Sequence, residues 1–190
     1  MLAIGVRRTT LAEVARRAGV SRMTLYRRHP DARGLLAALM TREFGDVVRR
    51  AHARASTVGT ARGRLVAAAV EVARELSGNP LMRAVLDMDP ATVLPYIVER
   101  LGGTQRLAEQ VLREHIADGH RDGSIRAGDP ATQARALFLV VQSFVLSSRP
   151  ATSDVDSSAL FGELSHLLDA GLRDRHRHDT GAATHARASR

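Results

Sequence analysis

The sequence predicts an all-α fold in two parts, and three observations support that prediction. Apolar residues recur at helical spacing along most of the chain. Capping residues mark the starts of the helices, and glycine or proline marks several of their ends. No segment shows a convincing alternation of apolar and polar residues, which a half-buried strand would need. The 190 residues allow a small N-terminal domain and one larger helical domain with its own core.

The first two predicted elements are short helices joined by a tight turn. Thr10 and Glu13 have capping-box spacing, which predicts a helix from Leu11 onward. Gly19 follows the last apolar position, where a residue with positive φ commonly ends a helix. Ser21 then caps a second helix with several polar or large side chains on its outer face. This pattern is typical of a helix-turn-helix, and an ordinary helical hairpin is the alternative.

Positive charge is concentrated in the same part of the chain. All 28 basic residues are arginines, and the formal net charge is +8. Residues 1–50 hold 11 of these arginines against four acidic residues, so this segment carries +7 of the total. Such a concentration of one sign of charge is typical of a surface that binds the phosphates of DNA.

Three segments resemble the DNA-binding domain of TetR-family transcriptional repressors. They are Thr-Thr-Leu-Ala-Glu-Val-Ala at 9–15, Ala-Gly-Val-Ser at 18–21 and Thr-Leu-Tyr-Arg at 24–27. Weaker similarity continues at 94–96, 122–126, 129–130 and 167–172. The resulting domain prediction is a DNA-binding domain with the start of a linker helix at 1–50, a helical effector-binding and dimerisation domain at 51–173, and a disordered tail at 174–190.

The resemblance also implies which residues contact DNA. Thr10 and Ser21 would hold phosphates at helix N-termini. Arg22 is the candidate for a bidentate contact to guanine, and Thr24 for contact with a thymine methyl group. The complete implied set is Thr10, Ser21, Arg22, Met23, Thr24, Tyr26, Arg27 and Arg28. For each arginine, a solvated charge near DNA without base contact is the alternative.

The chain departs from the family pattern before Thr9. The family has a full helix there, whereas only residues 1–8 precede Thr9, so this first helix is expected to be largely absent. Either the true start codon lies upstream or this is a truncated copy, and the apolar side of the helix-turn-helix then lacks a cover. A second departure is His29, where relatives commonly have Phe or Trp. A packed neutral imidazole and pH-sensitive DNA binding are its two interpretations.

Further helices are predicted after Pro30 from caps and breaks. Their approximate ranges are 31–54, 60–77, 81–88, 91–101, 104–119, 129–147 and 156–173, with loops at 56–59 and 149–153.

The last two helices are unusually apolar. Residues 137–146 are apolar on every side except Gln142 and Ser143, which predicts burial all round. Two such helices favour a four-helix seam across a two-fold axis, although both could instead complete the core of one chain. The residues predicted at a homodimer interface are Leu137, Val141, Phe144, Leu160, Leu164, Leu167 and Leu168.

The middle helices are the predicted place for a small effector. Its candidate contacts are Met82, Leu86, Tyr96, Val111, Phe138 and Gln142, each of which could equally be a core residue. The chain has no cysteine and no glycine-rich phosphate loop, and no set of acid, base and nucleophile emerges. We therefore expect no enzyme activity, no metal and no cofactor. No signal peptide or membrane span is apparent, so a cytoplasmic protein is expected.

These observations and the resemblance predict a homodimeric, ligand-responsive repressor that binds double-stranded DNA at a palindromic operator. An effector would change the spacing of the two recognition helices. The alternative is a helical dimeric ligand-binding protein that has lost operator recognition through the N-terminal truncation.

Overall fold

The computed structural model describes residues 10–57, 59–87 and 102–174. Within these ranges the chain forms eight helices and no strand, which confirms the all-α prediction. The helices are α1 (Leu11–Ala18), α2 (Arg22–Arg28), α3 (Ala32–Ala55), α4 (Ala61–Gly78), α5 (Pro80–Leu86), α6 (Gly103–Arg121), α7 (Pro130–Ala151) and α8 (Ser157–Leu172). The predictions for residues 1–8, for a helix at 91–101 and for a tail after Asp174 lie outside the described residues.

Capping side chains begin most of these helices as predicted. Seven of them accept a hydrogen bond from the backbone N–H three residues further on, and they are Thr10, Ser21, Asp31, Thr60, Asn79, Asp129 and Asp156. Each bond satisfies a donor that the first turn of a helix would otherwise leave without a partner. A cap of this kind contributes about 1 kcal/mol, so local sequence alone determines where these helices start.

Two helix ends differ from the prediction. Helix α7 was expected to end near residue 147, but it continues through Pro150 to Ala151. Beyond the proline, the hydroxyls of Thr152 and Ser153 donate to the carbonyls of Ser148 and Pro150 at the C-terminus of the helix. Helix α6 was expected to end at Gly119, but that glycine lies inside the helix, which continues to Arg121.

Helix α4 is the centre of the larger domain. It packs against α3, α6, α7 and α8, and it buries seven of its own residues. The side chains with almost no exposed surface lie on these same helices, and they are Phe44, Val47, Leu65, Ile116, Leu164 and Leu172. Burying each leucine, isoleucine, valine or phenylalanine contributes about 1.5–3 kcal/mol, so the packing around α4 supplies much of the stability of this domain.

None of the described helices is long and apolar enough to cross a membrane.

The loop after α6 joins three helix ends. Asp122 accepts the backbone N–H of Ala61 at 2.8 Å, and Ser124 accepts that of Arg62 at 3.0 Å. This loop therefore caps the N-terminus of α4, which is distant in sequence. Arg126 donates its backbone N–H to the Leu172 carbonyl at 2.8 Å, at the C-terminus of α8. The similarity at 122–126 thus corresponds to a structural joint.

Replacing Gly119 by alanine is expected to destabilise the fold. A β-carbon at this position would lie 2.8 Å from Cβ of Ile125 and closer still to the rest of that side chain. Ile125 is 3% exposed and cannot move away freely, so overpacking should lower the free energy of unfolding by about 1–3 kcal/mol. Urea unfolding at fixed protein concentration measures this. The control is Gly78→Ala, where a β-carbon meets nothing, and an equal loss in both variants would contradict the argument.

Candidate nucleic-acid interface

Helices α1 and α2 form the predicted helix-turn-helix. The hydroxyl of Thr10 accepts the N–H of Glu13 at 3.2 Å and begins α1. Gly19 ends α1 with φ 65°, in the left-handed region that glycine adopts without steric cost. Ser21 then begins α2 by accepting the N–H of Thr24 at 3.1 Å. The turn between the helices is therefore only three residues long.

The inner face of this unit is small and apolar. Leu11 and Ala15 are buried, whereas Val14 and Leu25 are half-buried. The small side chain of Ala15 allows α1 and α2 to approach closely. His29 follows α2 as its C-cap, is half-buried, and donates its backbone N–H to the Leu25 carbonyl at 2.9 Å. The pH-sensitive interpretation of His29 stays a prediction.

The outer face of α2 carries exposed side chains without partners in the described part of the chain. Arg22, Arg27 and Arg28 are exposed, and none of them forms an ion pair or hydrogen bond with any other described residue. Met23 is 79% exposed and Tyr26 is 47% exposed. Both side chains lie on the same short helix as the three arginines, so the exposed face of α2 is partly apolar and partly basic. This face can therefore bind a polyanion without first breaking contacts within the protein.

Thr24 differs from its neighbours because its hydroxyl is already bonded. Its Oγ1 lies 2.8 Å from Oγ of Ser21, and either hydroxyl can donate. The side chain is half-buried between the cap and the helix. The methyl group of Thr24 is thus the part that remains available for an apolar contact.

The arginines of α1 are paired, in contrast to those of α2. Glu13 accepts hydrogen bonds from Arg16 at 2.6 Å and from Arg17 at 2.8 Å. The bond from Arg16, followed by that from Arg17, lowers the pKa of Glu13 to about 2. Glu13 is therefore ionised at every physiological pH and offsets one of these two positive charges. Sequence spacing allowed this ion pair on one helix face, but we had not predicted it.

Neutralising Glu13 is expected to strengthen non-specific DNA binding. In Glu13→Gln the guanidinium groups of Arg16 and Arg17 lose their anionic partner and become available to phosphate. One additional phosphate contact should steepen the slope of log affinity against log salt by about 0.9. Fluorescence anisotropy with a random-sequence duplex at several salt concentrations measures that slope.

The matched control is Asp154→Asn, which makes the same change of charge in an exposed loop outside the helix-turn-helix. If both variants steepen the slope equally, total charge rather than the position of Arg16 and Arg17 controls binding, and the prediction is wrong.

The predicted effector contacts occupy several environments. Met82 and Phe138 are 8% and 9% exposed, and Met82 belongs to the main apolar core. Val111 and Gln142 are half-buried, whereas Leu86 is 36% exposed. Tyr96 lies outside the described residues. Across the described residues, no three metal-ligating side chains converge on one point.

The predicted dimer contacts divide into two groups. Leu164 and Leu168 are 0% and 2% exposed within one chain, so they have no surface left for a partner. The others are half-buried or exposed, and they are Leu137, Val141, Phe144, Leu160 and Leu167. Within one chain, residues 137–146 are not buried all round, because Leu139 and Val140 are 55% and 38% exposed. Burial on every side, as expected for a dimer, stays a prediction.

Comparisons with known proteins agree with this architecture. The family model described as "Bacterial regulatory proteins, tetR family" matches residues 2–39. The uncharacterized HTH-type transcriptional regulator Rv2250c of Mycobacterium tuberculosis is 41% identical over 168 residues, which cover 88% of this chain and 86% of that protein. Among solved structures, FadR from Bacillus subtilis in complex with stearoyl-CoA has a TM-score of 0.64 at 20% identity, covering 89% of this chain and 91% of that one.

A second structural neighbour is SmeT in its complex with triclosan. Its TM-score is 0.64 at 22% identity, and the match covers 92% of this chain and 87% of that one. At such identities the solved structures establish the fold, whereas the mycobacterial relative establishes the family. The helix-turn-helix, the matching family model and this relative together show that the chain belongs to the tetR family of DNA-binding transcriptional regulators.

Proposed function

We propose that this regulator is a repressor that binds a palindromic operator as a homodimer and responds to a small effector. The observation that carries the proposal is the outer face of α2, where three arginines remain without partners in the described part of the chain. This face lies within residues 1–50, which hold most of the net positive charge. A recognition helix in the major groove needs such a face.

Each side chain of this face has a role that its geometry supports. Arg22 lies in the first turn of α2, and its free guanidinium suits the two acceptors of guanine. The Thr24 methyl group suits the methyl group of thymine, because the hydroxyl is bonded to Ser21. Met23 and Tyr26 contact bases or backbone beside them. Arg27 and Arg28, in the last turn, contact the flanking phosphates.

Thr10 and Ser21 contribute through their hydroxyl groups. Each oxygen accepts a backbone N–H within its own helix. This leaves the hydroxyl hydrogen of Thr10 available as a donor, and that of Ser21 is available when Thr24 donates the bond that the two hydroxyls share. A phosphate oxygen can accept that hydrogen. Such contacts position the protein on the duplex without specifying sequence.

A dimer accounts for the apolar surface on α7 and α8. Three apolar side chains are exposed there, namely Leu139, Val140 and Leu167. Their contact with water is energetically unfavourable, and a partner chain would remove it. We assign the partner contact to these three together with the half-buried Leu137, Val141, Phe144 and Leu160. Leu164 and Leu168 support this surface from inside the chain. Two recognition helices about 34 Å apart then contact two half-sites of a palindrome.

We place the effector between α5, α6 and α7. Met82, Leu86, Tyr96, Val111, Phe138 and Gln142 are the residues proposed to line it. Two structural neighbours of the same fold are described with small molecules, stearoyl-CoA in FadR and triclosan in SmeT. Helix α3 continues from the helix-turn-helix into the packing of the larger domain, so it is the natural lever between effector and DNA.

Selection of binding sites from a random DNA pool tests this proposal. We expect a consensus with two-fold symmetry and half-site centres about 10 base pairs apart, bound by a species of twice the chain mass in light scattering. A consensus without symmetry would contradict the palindromic operator. No enrichment at all would favour a helical ligand-binding protein without operator recognition.

A further inference from the structure

Helices α3 and α6 contact each other at three levels along their length. At one end, a β-carbon on Gly103 would lie 3.1 Å from Oγ1 of Thr41. At the next level, a β-carbon on Gly45 would lie 3.2 Å from the Leu107 side chain. At the third level, His52 of α3 contacts His115 of α6. We call this contact surface the α3–α6 seam.

The residues of the seam have helical spacing on both helices. On α3 they lie at 41, 45 and 52, and on α6 at 103, 107 and 115. Both sets increase in the same direction, so the two helices run side by side and parallel. Helix α3 begins at Ala32, after α2 ends at Arg28, so the seam lies on the helix that directly follows the helix-turn-helix.

The histidine pair is the polar contact of the third level. Nδ1 of His52 lies 2.8 Å from Nε2 of His115, a distance that fits an N–H···N hydrogen bond. The ring centroids are 4.8 Å apart, and the rings are inclined by 54°. His115 is only 6% exposed, whereas His52 is exposed to solvent. The pair therefore joins a buried position in the larger domain to the surface of α3.

The hydrogen bond tolerates one proton at the contact but not two. One facing nitrogen donates while the other accepts, and either tautomeric arrangement satisfies the pair. When both rings are protonated, both facing nitrogens carry hydrogens and both rings are positively charged. The bond is then lost and the rings repel each other, which separates the two helices at this level.

The charged groups around the pair determine the direction of its pH response. Burial and then the positive charge of His52 lower the pKa of His115. Asp118 and Glu114 of α6 oppose this shift, whereas Arg64 of α4 adds to it. When the hydrogen bond is broken and the helices are separated, the pair can bind a second proton, which the hydrogen-bonded arrangement does not accept. The contact is thus favoured above about pH 6.5, the ordinary value for histidine, and is lost progressively below it.

We propose that the His52–His115 contact is a proton-sensitive joint between the helix that carries the DNA-binding unit and the effector domain. Acidification opens the α3–α6 seam at its third level and alters the position of α3. The consequence for DNA affinity rests on the proposed function, whereas the existence of the proton-sensitive contact does not depend on that function.

The first test follows histidine protonation in the full-length protein by NMR. In the wild type, we expect the midpoint of His115 to lie below the ordinary value for histidine. In His52→Gln the neighbouring charge disappears, so the midpoint of His115 should rise. This variant replaces an exposed ring, so the fold should be kept. An unchanged midpoint of His115 in His52→Gln would overturn the proposal.

The second test compares operator affinity at pH 7.5 and pH 5.5. For each protein we take the ratio of its dissociation constants at the two pH values. We expect this ratio to differ by about fivefold or more between the wild type and His52→Gln, which is a typical coupling between two sites. The control is His166→Gln, an exposed histidine of α8 outside the helix-turn-helix, which should keep the wild-type ratio. If His52→Gln also keeps it, the joint does not act on DNA binding and the proposal fails. If no protein binds DNA at either pH, the proposed function fails, and the NMR titration still decides whether the joint exists.

Discussion

Replacing Arg22 by alanine is expected to weaken operator binding by about 10- to 100-fold and to leave the fold and the dimer intact. The side chain is exposed and forms no hydrogen bond or ion pair with other described residues, so its removal breaks no such bond. A bidentate contact between arginine and guanine is worth about 1–3 kcal/mol, and the variant loses all of it. Fluorescence anisotropy with the selected operator and with a random duplex measures both the affinity and the specificity.

The matched control for Arg22 is Arg16→Ala in the same helix-turn-helix. Arg16 is also exposed, but it is bonded to Glu13, so its loss should weaken operator and random DNA alike and only modestly. The assignment of Arg22 to a base requires that its variant lose more affinity for the operator than for random DNA. Equal losses on both duplexes would make Arg22 a phosphate contact and contradict that assignment.

Substitutions at two leucines three residues apart on α8 are expected to affect different properties, the stability of the folded chain in one case and the association of two chains in the other. Leu164 is fully buried within one chain, so Leu164→Ala should lower the free energy of unfolding by about 2–5 kcal/mol. Leu167 is 56% exposed, so Leu167→Glu should leave the folded chain stable and raise the dissociation constant of the dimer. A charge in a buried apolar interface is strongly unfavourable without a partner. Urea unfolding and sedimentation at several concentrations measure the two effects separately.

The control for Leu167 is Val155→Glu, which places the same charge at an exposed apolar residue in the loop before α8. This variant should remain a dimer. If Leu167→Glu also remains a dimer at low concentration, the partner contact does not lie on the exposed side of α8. A monomer in both variants would show only that added charge disperses the chains.

The start of most helices was predictable because its causes are local. A capping side chain and the N–H that it accepts lie three residues apart, so Thr10, Ser21 and Asp31 identify helix starts from sequence alone. The same holds for Gly19, whose positive φ ends α1. The candidate DNA-binding face was predictable for a similar reason, since it lies on a single short helix next to the turn.

Contacts between distant segments were not predictable in this way. Leu164 and Leu167 belong to one apolar stripe, and periodicity cannot tell which of them faces the core of its own chain. His52 and His115 are 63 positions apart, and only the packing of α3 on α6 brings their rings together. These features depend on tertiary structure, which local patterns do not encode.

A gel-shift titration of the full chain against the DNA upstream of its own gene tests the central claim most directly. It is done at two salt concentrations and with an excess of non-specific competitor. We predict a discrete complex that resists the competitor and whose affinity falls steeply with salt, because arginines of the helix-turn-helix displace counterions from phosphate. A complex that the competitor removes completely, or no complex at either salt concentration, would contradict specific operator recognition by this chain.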